Sequence, residues 1–178
     1  SKKLIIKNDL ENLILEIRRN EIDGVNVTVP HKREVIKYLD ELSPESEKTQ
    51  SVNTILKKKD KVVGHNTDIA GFELSLKHSK YDLKDKKVLI IGAGGVVPSI
   101  IYAIEKSKAK EIFLMNRTVE KAKLIKDNFS KIKIMEWGEY DKFDMIINAT
   151  SLGLKQEDDI NLDLEKLGIG SFFYDIIY

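Results

Sequence analysis

Two sets of residues in this 178-residue chain have the types and spacing to do chemistry. The first is Gly92-Ala93-Gly94-Gly95, which follows the unbroken apolar run Val88 to Ile91 and opens a helical pattern from about Gly95 to Lys106. A glycine-rich turn between a buried strand and a helix lets the backbone approach a pyrophosphate, whose charge the helix amino terminus then stabilises. The usual third small residue is Val97 here, and Pro98 falls in the first helical turn, where its missing N–H has no intrahelical partner to lose. A tight turn with no ligand is the competing reading. At the end of the next strand, where an NAD site places a carboxylate on the ribose hydroxyls, stand Asn116-Arg117-Thr118. A guanidinium there suits the extra phosphate of NADP, and Lys121 adds a second positive charge. Thr118 as a helix cap beside solvated charges is the plainer alternative, and capping is compatible with phosphate binding.

The second set is polar. The alternation Val25, Val27, Val29 against Asn26 and Thr28 predicts a strand that turns the three valines one way and lines a polyol pocket with Asn26 and Thr28. Lys32 follows within one helical turn, either at the pocket edge or as a surface lysine. Asn53-Thr54 and Asn66-Thr67-Asp68 end strand-like segments, where α/β domains gather ligand-binding groups, although these residue types also make turns and caps.

These residues need elements to hold them. Asn8 as a cap, Glu11 three residues on, and Leu10, Leu13, Ile14 and Ile17 on one face predict an amphipathic helix. Pro30 suits the first position of a helix running to about Leu42, and Pro44 sits in a polar stretch. The segments 52–56 and 61–63 flank a charged turn as paired strands, and a helix follows from about Thr67 to Lys77. The second half alternates strands at 88–91, 112–115, 132–135, 145–147 and 171–177 with helices at about 95–106 and 119–129. That pattern predicts an α/β protein: an amino-terminal α/β substrate-binding domain over residues 1–77, then a Rossmann-type parallel-sheet domain over 78–178, with the polar stretch 78–86 as the junction.

Composition narrows the partners. With 42% hydrophobic residues the chain suits one large or two small globular domains, and 30 basic against 29 acidic residues, net charge +1, give no electrostatic case for nucleic acid or a membrane surface. A small-molecule substrate is the default. The absence of cysteine removes disulfides, thiolate metal sites and a cysteine nucleophile, and no metal is expected. No apolar stretch is long enough to span a bilayer and the lysine-rich start lacks a signal's apolar segment, so a cytoplasmic protein, monomer or homodimer, is expected.

Taken together, the stretches 24–32 (Gly-Val-Asn-Val-Thr-Val-Pro-His-Lys), Val52-Asn53-Thr54, Asn66-Thr67-Asp68, Gly92 to Gly95, Asn116-Arg117-Thr118, 148–153 (Asn-Ala-Thr-Ser-Leu-Gly) and 175–178 (Asp-Ile-Ile-Tyr) resemble the shikimate dehydrogenase family, in the family's order and over nearly the whole chain. The resemblance implies reversible NADPH-dependent reduction of 3-dehydroshikimate to shikimate, a step toward chorismate and the aromatic amino acids. It also implies that Lys32 transfers the proton while Asp68 orients it and holds a substrate hydroxyl. Asn53 and Thr28 would bind substrate hydroxyls, Tyr178 would contact substrate, and the loop carrying Asn148, Thr150 and Ser151 would approach the cofactor. Related quinate or quinate/shikimate dehydrogenases, and a non-catalytic nucleotide-binding fragment or relative, are the alternatives. The chain departs from the family pattern at Gln50-Ser51, where Gly-Ala is usual, at Ile69, where Gly is common, and at Val96-Val97-Pro98. It is also shorter at both ends, without counterparts of the family's amino-terminal Ser-x-Ser motif and carboxy-terminal helices.

Overall fold

The computed structural model describes residues 9–139, 141–153, 162–167 and 169–176. The chain divides between Glu73 and Leu74 into two compact units. In the first, helix α1 (Leu10–Arg18) buries Leu10, Leu13, Ile14 and Ile17, the face its periodicity marks. Asp9 occupies the cap position with no side-chain cap bond, and Asn8 lies outside the described residues. Strands β1 (Gly24–Asn26), β2 (Glu41–Leu42), β3 (Thr54–Lys58) and β4 (Lys61–His65) form a sheet ordered β1-β3-β4-β2. The expected pair is the β3–β4 hairpin, turned through Lys59 in the left-handed region (φ 56°). The α1 residues pack with Val27, Val35, Val52, Ile55 and Val62 to make the core of this unit.

Two expectations for this unit are corrected. The valine alternation does not continue to Val29: the β1–β3 ladder ends at Asn26 opposite Thr54, Val27 N–H donates to Asn53 O at 2.8 Å, and a turn from Thr28 O to His31 N follows. Val29 is therefore 62% exposed while Val27 is buried, and Asn26 and Thr28 share no strand face. Nor does one helix run from Pro30 to Leu42. A 3-10 helix, Glu34–Tyr38, is followed by extended chain, because the sheet claims the next residues: Asp40 N–H donates to Val62 O and β2 pairs parallel with β4. Long-range ladder bonds outweigh the weak local helix preference here. The polar stretch holds helix α2 (Pro44–Thr49), whose start Ser43 caps by accepting the Ser46 N–H, with Pro44 in its favoured first-turn place.

Helix α3 (Asp68–His78) runs through the division at Glu73. In the second unit, β5 (Lys87–Ile91), β6 (Glu111–Met115), β7 (Lys133–Met135), β8 (Met145–Asn148) and β9 (Phe172–Asp175) form an all-parallel sheet ordered β7-β6-β5-β8-β9. Its first strand in sequence lies at the centre, the doubly wound order in which ligands bind where the winding reverses, between β5 and β8. Val88, Leu89, Ile90 and Ile91 are fully buried, as a strand covered on both faces must be. Helix α4 (Val97–Lys106) buries Ile100, Ile101 and Ile104, and Pro98 sits in its first turn without breaking it. Helix α5 (Val119–Lys126) gives way to tighter turns before Phe129, three residues earlier than its apolar pattern suggests. A short helix α6 (Leu164–Leu167) precedes β9.

Candidate active site

In the first unit the polar residues converge on one carboxylate. Asp68, the first residue of α3, accepts from Lys32 Nζ at 2.7 Å through Oδ2 and from Asn53 Nδ2 at 2.8 Å through Oδ1. Asn53, just before β3, uses its own Oδ1 for Thr67 N–H at 2.9 Å, Thr67 Oγ1 at 3.1 Å and Thr54 Oγ1 at 3.1 Å. The 2.7 Å contact is a charge-assisted hydrogen bond between an ammonium and a carboxylate. Side-chain exposures of 13% for Lys32 and 21% for Asp68 leave the pair sheltered yet reachable from solvent. An ammonium carries three N–H donors, so two remain after Asp68 takes one.

The backbone explains why these distant residues meet. Val52 N–H donates to Lys32 O at 2.9 Å, Asn53 N–H to His65 O at 3.0 Å, and Val27 N–H to Asn53 O. Segment 52–53 thus ties the turn carrying Lys32 to the end of β4, three residues before α3 begins. Asn26 is reached only at a distance: its Oδ1 lies 3.5 Å from Thr54 Oγ1, too long for a strong bond. Thr28 is exposed in the turn before Lys32, and Tyr178 lies outside the described residues. Thr67, which no sequence pattern marks as more than a turn residue, belongs to the cluster through both its N–H and its hydroxyl.

In the second unit, Gly92 and Gly94 are glycines for different reasons. At Gly92, φ is +111° and an added Cβ would lie 2.7 Å from Ala149 C and O and 2.9 Å from Thr150 N, so close approach of the β5 and β8 loops forbids a side chain. At Gly94 a Cβ would meet only Ala149 O, at an ordinary 3.6 Å. The protein's own packing therefore accounts for Gly92 but not for Gly94. The loop suits a pyrophosphate that must come close to exposed backbone before α4, with Ala93 half-buried and Gly94 and Gly95 exposed. Val97, at the position usually small, is fully buried.

After β6, Asn116 Nδ2 donates to Thr118 O at 2.7 Å and closes the turn that presents Arg117. Thr118 takes the cap position of α5, but its hydroxyl makes no cap bond, which corrects the capping expectation. Arg117 lies just before α5 and Lys121 in its first turn. Both are exposed, and among the described residues neither has an ion-pair partner. After β8, Asn148 is 4% exposed and spends its amide on Leu152 O (3.1 Å), both Asp175 oxygens (3.2 and 3.3 Å), Thr150 N–H (3.1 Å) and Thr150 Oγ1 (2.7 Å). Thr150 Oγ1 accepts Leu152 N–H at 3.0 Å. Asn148 and Thr150 thus shape the loop with their side chains, leaving backbone and the exposed Ser151 to face a ligand. Among the described residues no cluster of three or more metal-ligating side chains exists, and no helix is long and apolar enough to cross a membrane.

Comparison with known proteins covers both units. Residues 2–55 match the family model of the shikimate dehydrogenase substrate binding domain, and residues 73–155 that of shikimate / quinate 5-dehydrogenase. The NADP(+) shikimate dehydrogenase of Pelagibacter ubique is 52% identical over 177 residues, 99% of this chain and 67% of its own. The crystal structure of shikimate dehydrogenase from Aquifex aeolicus is similar with a TM-score of 0.87 at 34% identity, over 98% of this chain and 65% of that one. The Thermus thermophilus enzyme, solved in complex with NADP(H) and shikimate, gives a TM-score of 0.87 at 29% identity and the same coverage. The chain spans slightly less than two thirds of both solved relatives.

Proposed function

The chain belongs to the shikimate dehydrogenase family, and we propose on that premise that its protein catalyses the reversible reduction of the ketone of 3-dehydroshikimate to the alcohol of shikimate, with NADPH as reductant. The Lys32–Asp68–Asn53 cluster carries this reading, because it assembles a proton donor, its orienting carboxylate and a hydrogen-bonding amide from three separate segments.

When bound, NADPH would supply a hydride to the carbonyl carbon. As it adds, negative charge grows on the carbonyl oxygen, and the Lys32 ammonium answers it by giving up a proton. Asp68 fixes the direction of that ammonium and retains lone pairs for a substrate hydroxyl. Asn53 has its carbonyl oxygen occupied by Thr54 and Thr67, so it offers a substrate only its remaining amide hydrogen. Thr28 and Tyr178 complete the substrate contacts by family correspondence, with Asn26 at the margin.

On the cofactor side, the exposed backbone of the Gly92 to Gly95 loop and the start of α4 would receive the pyrophosphate, with Gly92 shaping the turn, since its own N–H donates to Met115 O at 2.8 Å. Arg117, with Lys121, would bind the phosphate that distinguishes NADP from NAD, and the loop held by Asn148 and Thr150 would face the nicotinamide half. Residues 1–77 then serve as the substrate domain and 78–178 as the cofactor domain. The cysteine-free sequence suits the reducing cytoplasm. Quinate is the second substrate to weigh, since one matching family model names it.

The test is NADPH formation on adding shikimate or quinate with NADP+ or NAD+, using the full-length protein. Turnover with shikimate and NADP+ is expected to exceed the other three pairings. A folded protein that oxidises no shikimate removes the proposal, and a higher kcat/KM for quinate reassigns the substrate.

A further inference from the structure

Asn66 lies two residues before Asp68, is 7% exposed and is bound by protein on both ends of its amide. Its Nδ2 donates to Thr49 Oγ1 at 3.1 Å and to Ser51 O at 3.0 Å, and its Oδ1 accepts Asp68 N–H at 3.1 Å. A buried amide must satisfy its donors and acceptor internally, so these bonds fix the separation of the groups they join. They join the end of α2, the strand-like segment 51–53 and the first residue of α3.

That separation matters because segment 51–53 also reaches the other partner of the reacting pair. Val52 N–H holds Lys32 O, Ser51 O is held by Asn66, Asn66 holds Asp68 N, and Asp68 holds Lys32 Nζ. The chain of contacts is a closed ring. Immediately upstream, Gln50 adopts φ 49°, ψ 41°, the left-handed conformation in which α2 ends and the chain turns into segment 51–53.

We infer that Asn66 is a positioning residue: it sets the Asp68 carboxylate against the Lys32 ammonium by gripping the backbones of Asp68 and Ser51 together. This rests on reading Lys32 and Asp68 as the reacting pair. A residue that merely starts helix α3 would lower stability without acting through Asp68.

The test uses the full-length protein well below its unfolding temperature. Asn66→Ala is expected to lower kcat for shikimate oxidation at least tenfold while KM for NADP+ stays within twofold. In an Asp68→Asn background the same substitution should cost less than a further twofold, because the contact it supports is already lost. Equal losses in both backgrounds overturn the inference. Should Asn66→Ala not fold, Thr49→Val, which removes one of the partners, is expected to cost roughly two- to fivefold in wild type and nothing beyond Asp68→Asn; again, equal losses overturn it. A second measurement needs no turnover: amide exchange at Asp68 N–H, followed by NMR, should accelerate at least tenfold in Thr49→Val or Asn66→Ala. A wild type that fails to oxidise shikimate defeats the functional reading alone, while unchanged exchange at Asp68 defeats the role of Asn66 whatever the substrate.

Discussion

The two units prepare for their ligands in opposite ways. In the first, the side chains proposed to react and bind substrate are bonded to one another: Lys32 to Asp68, Asp68 to Asn53, Asn53 to Thr54 and Thr67. In the second, Asn116, Asn148 and Thr150 spend their side-chain hydrogen bonds on loop shape, while Arg117 and Lys121 have no ion-pair partner among the described residues. The difference matches the two proposed tasks. Proton transfer demands geometry that is fixed before the substrate arrives, since misplacement by an ångström is costly in rate. Holding a phosphate demands exposed backbone donors and free positive charge. Damage in the first unit should therefore appear in kcat, and damage in the second in cofactor affinity.

The largest effect that could break this contrast is Lys32→Ala, which should lower kcat by about 10²- to 10⁴-fold, the usual worth of a positioned acid. Cofactor affinity by fluorescence titration should stay within a few-fold. If affinity collapsed with kcat, the division of labour would be wrong. Next comes Arg117→Asp. Charge-assisted hydrogen bonds are worth about 1.5–3 kcal/mol, so the Kd for NADP+ should rise by roughly 10- to 100-fold with little change for NAD+. Equal weakening of both would remove Arg117 from the phosphate.

The two glycines offer a finer test. Gly92→Ala pushes a methyl into the Ala149 backbone and should cost about 1–3 kcal/mol of stability, several degrees of Tm. Gly94→Ala should leave Tm within about 1 °C, the surface-substitution range, yet weaken NADP+ binding. Identical behaviour of the two variants would mean that both glycines are structural. The smallest effect concerns the scaffold. The Asp40 pKa is lowered from the usual carboxylate value because the Arg18 guanidinium donates to both its oxygens (2.7 and 2.8 Å) and Val62 N–H adds a third bond. A depressed folded pKa stabilises above the unfolded value of about 3.9 and is lost as pH falls through the folded one. Asp40→Asn should thus lower Tm at pH 7, narrow that gap below roughly pH 4, and leave kcat unchanged. The pair is about one third exposed, so its worth is about 1 kcal/mol or less.

Much of this could be read in the sequence, for identifiable reasons. The face of α1, the β3–β4 hairpin and β5 followed by its glycines carry periods and turn residues within a few positions of one another. Lys32, Asn53 and Asp68 were legible only as members of a family pattern, since 36 residues separate the partners of the 2.7 Å contact. What failed depended on distant partners. The early end of β1 follows from where Asn53 leaves the ladder, and β2 exists because Val62 to Gly64 claim residues 40–43. Helix α2 did announce itself, in Ser43-Pro44-Glu45, a cap followed by a first-turn proline and an acid. The work of Asn66 left no local signal, because a buried amide looks like any turn asparagine until its partners are known.

The placement of β5 has a consequence for how the chain is made. Its four fully buried residues are the centre of the five-stranded sheet, yet both of its ladder partners come later in the sequence. During synthesis the run Val88 to Ile91 emerges with two open edges and stays unpaired on one until Ile112 to Met115 follow, and on the other until Met145 to Asn148 do. An apolar strand with open edges is what intermolecular pairing feeds on. The strand that leads into the proposed cofactor loop is thus also the segment of this unit most in need of protection before the chain is finished.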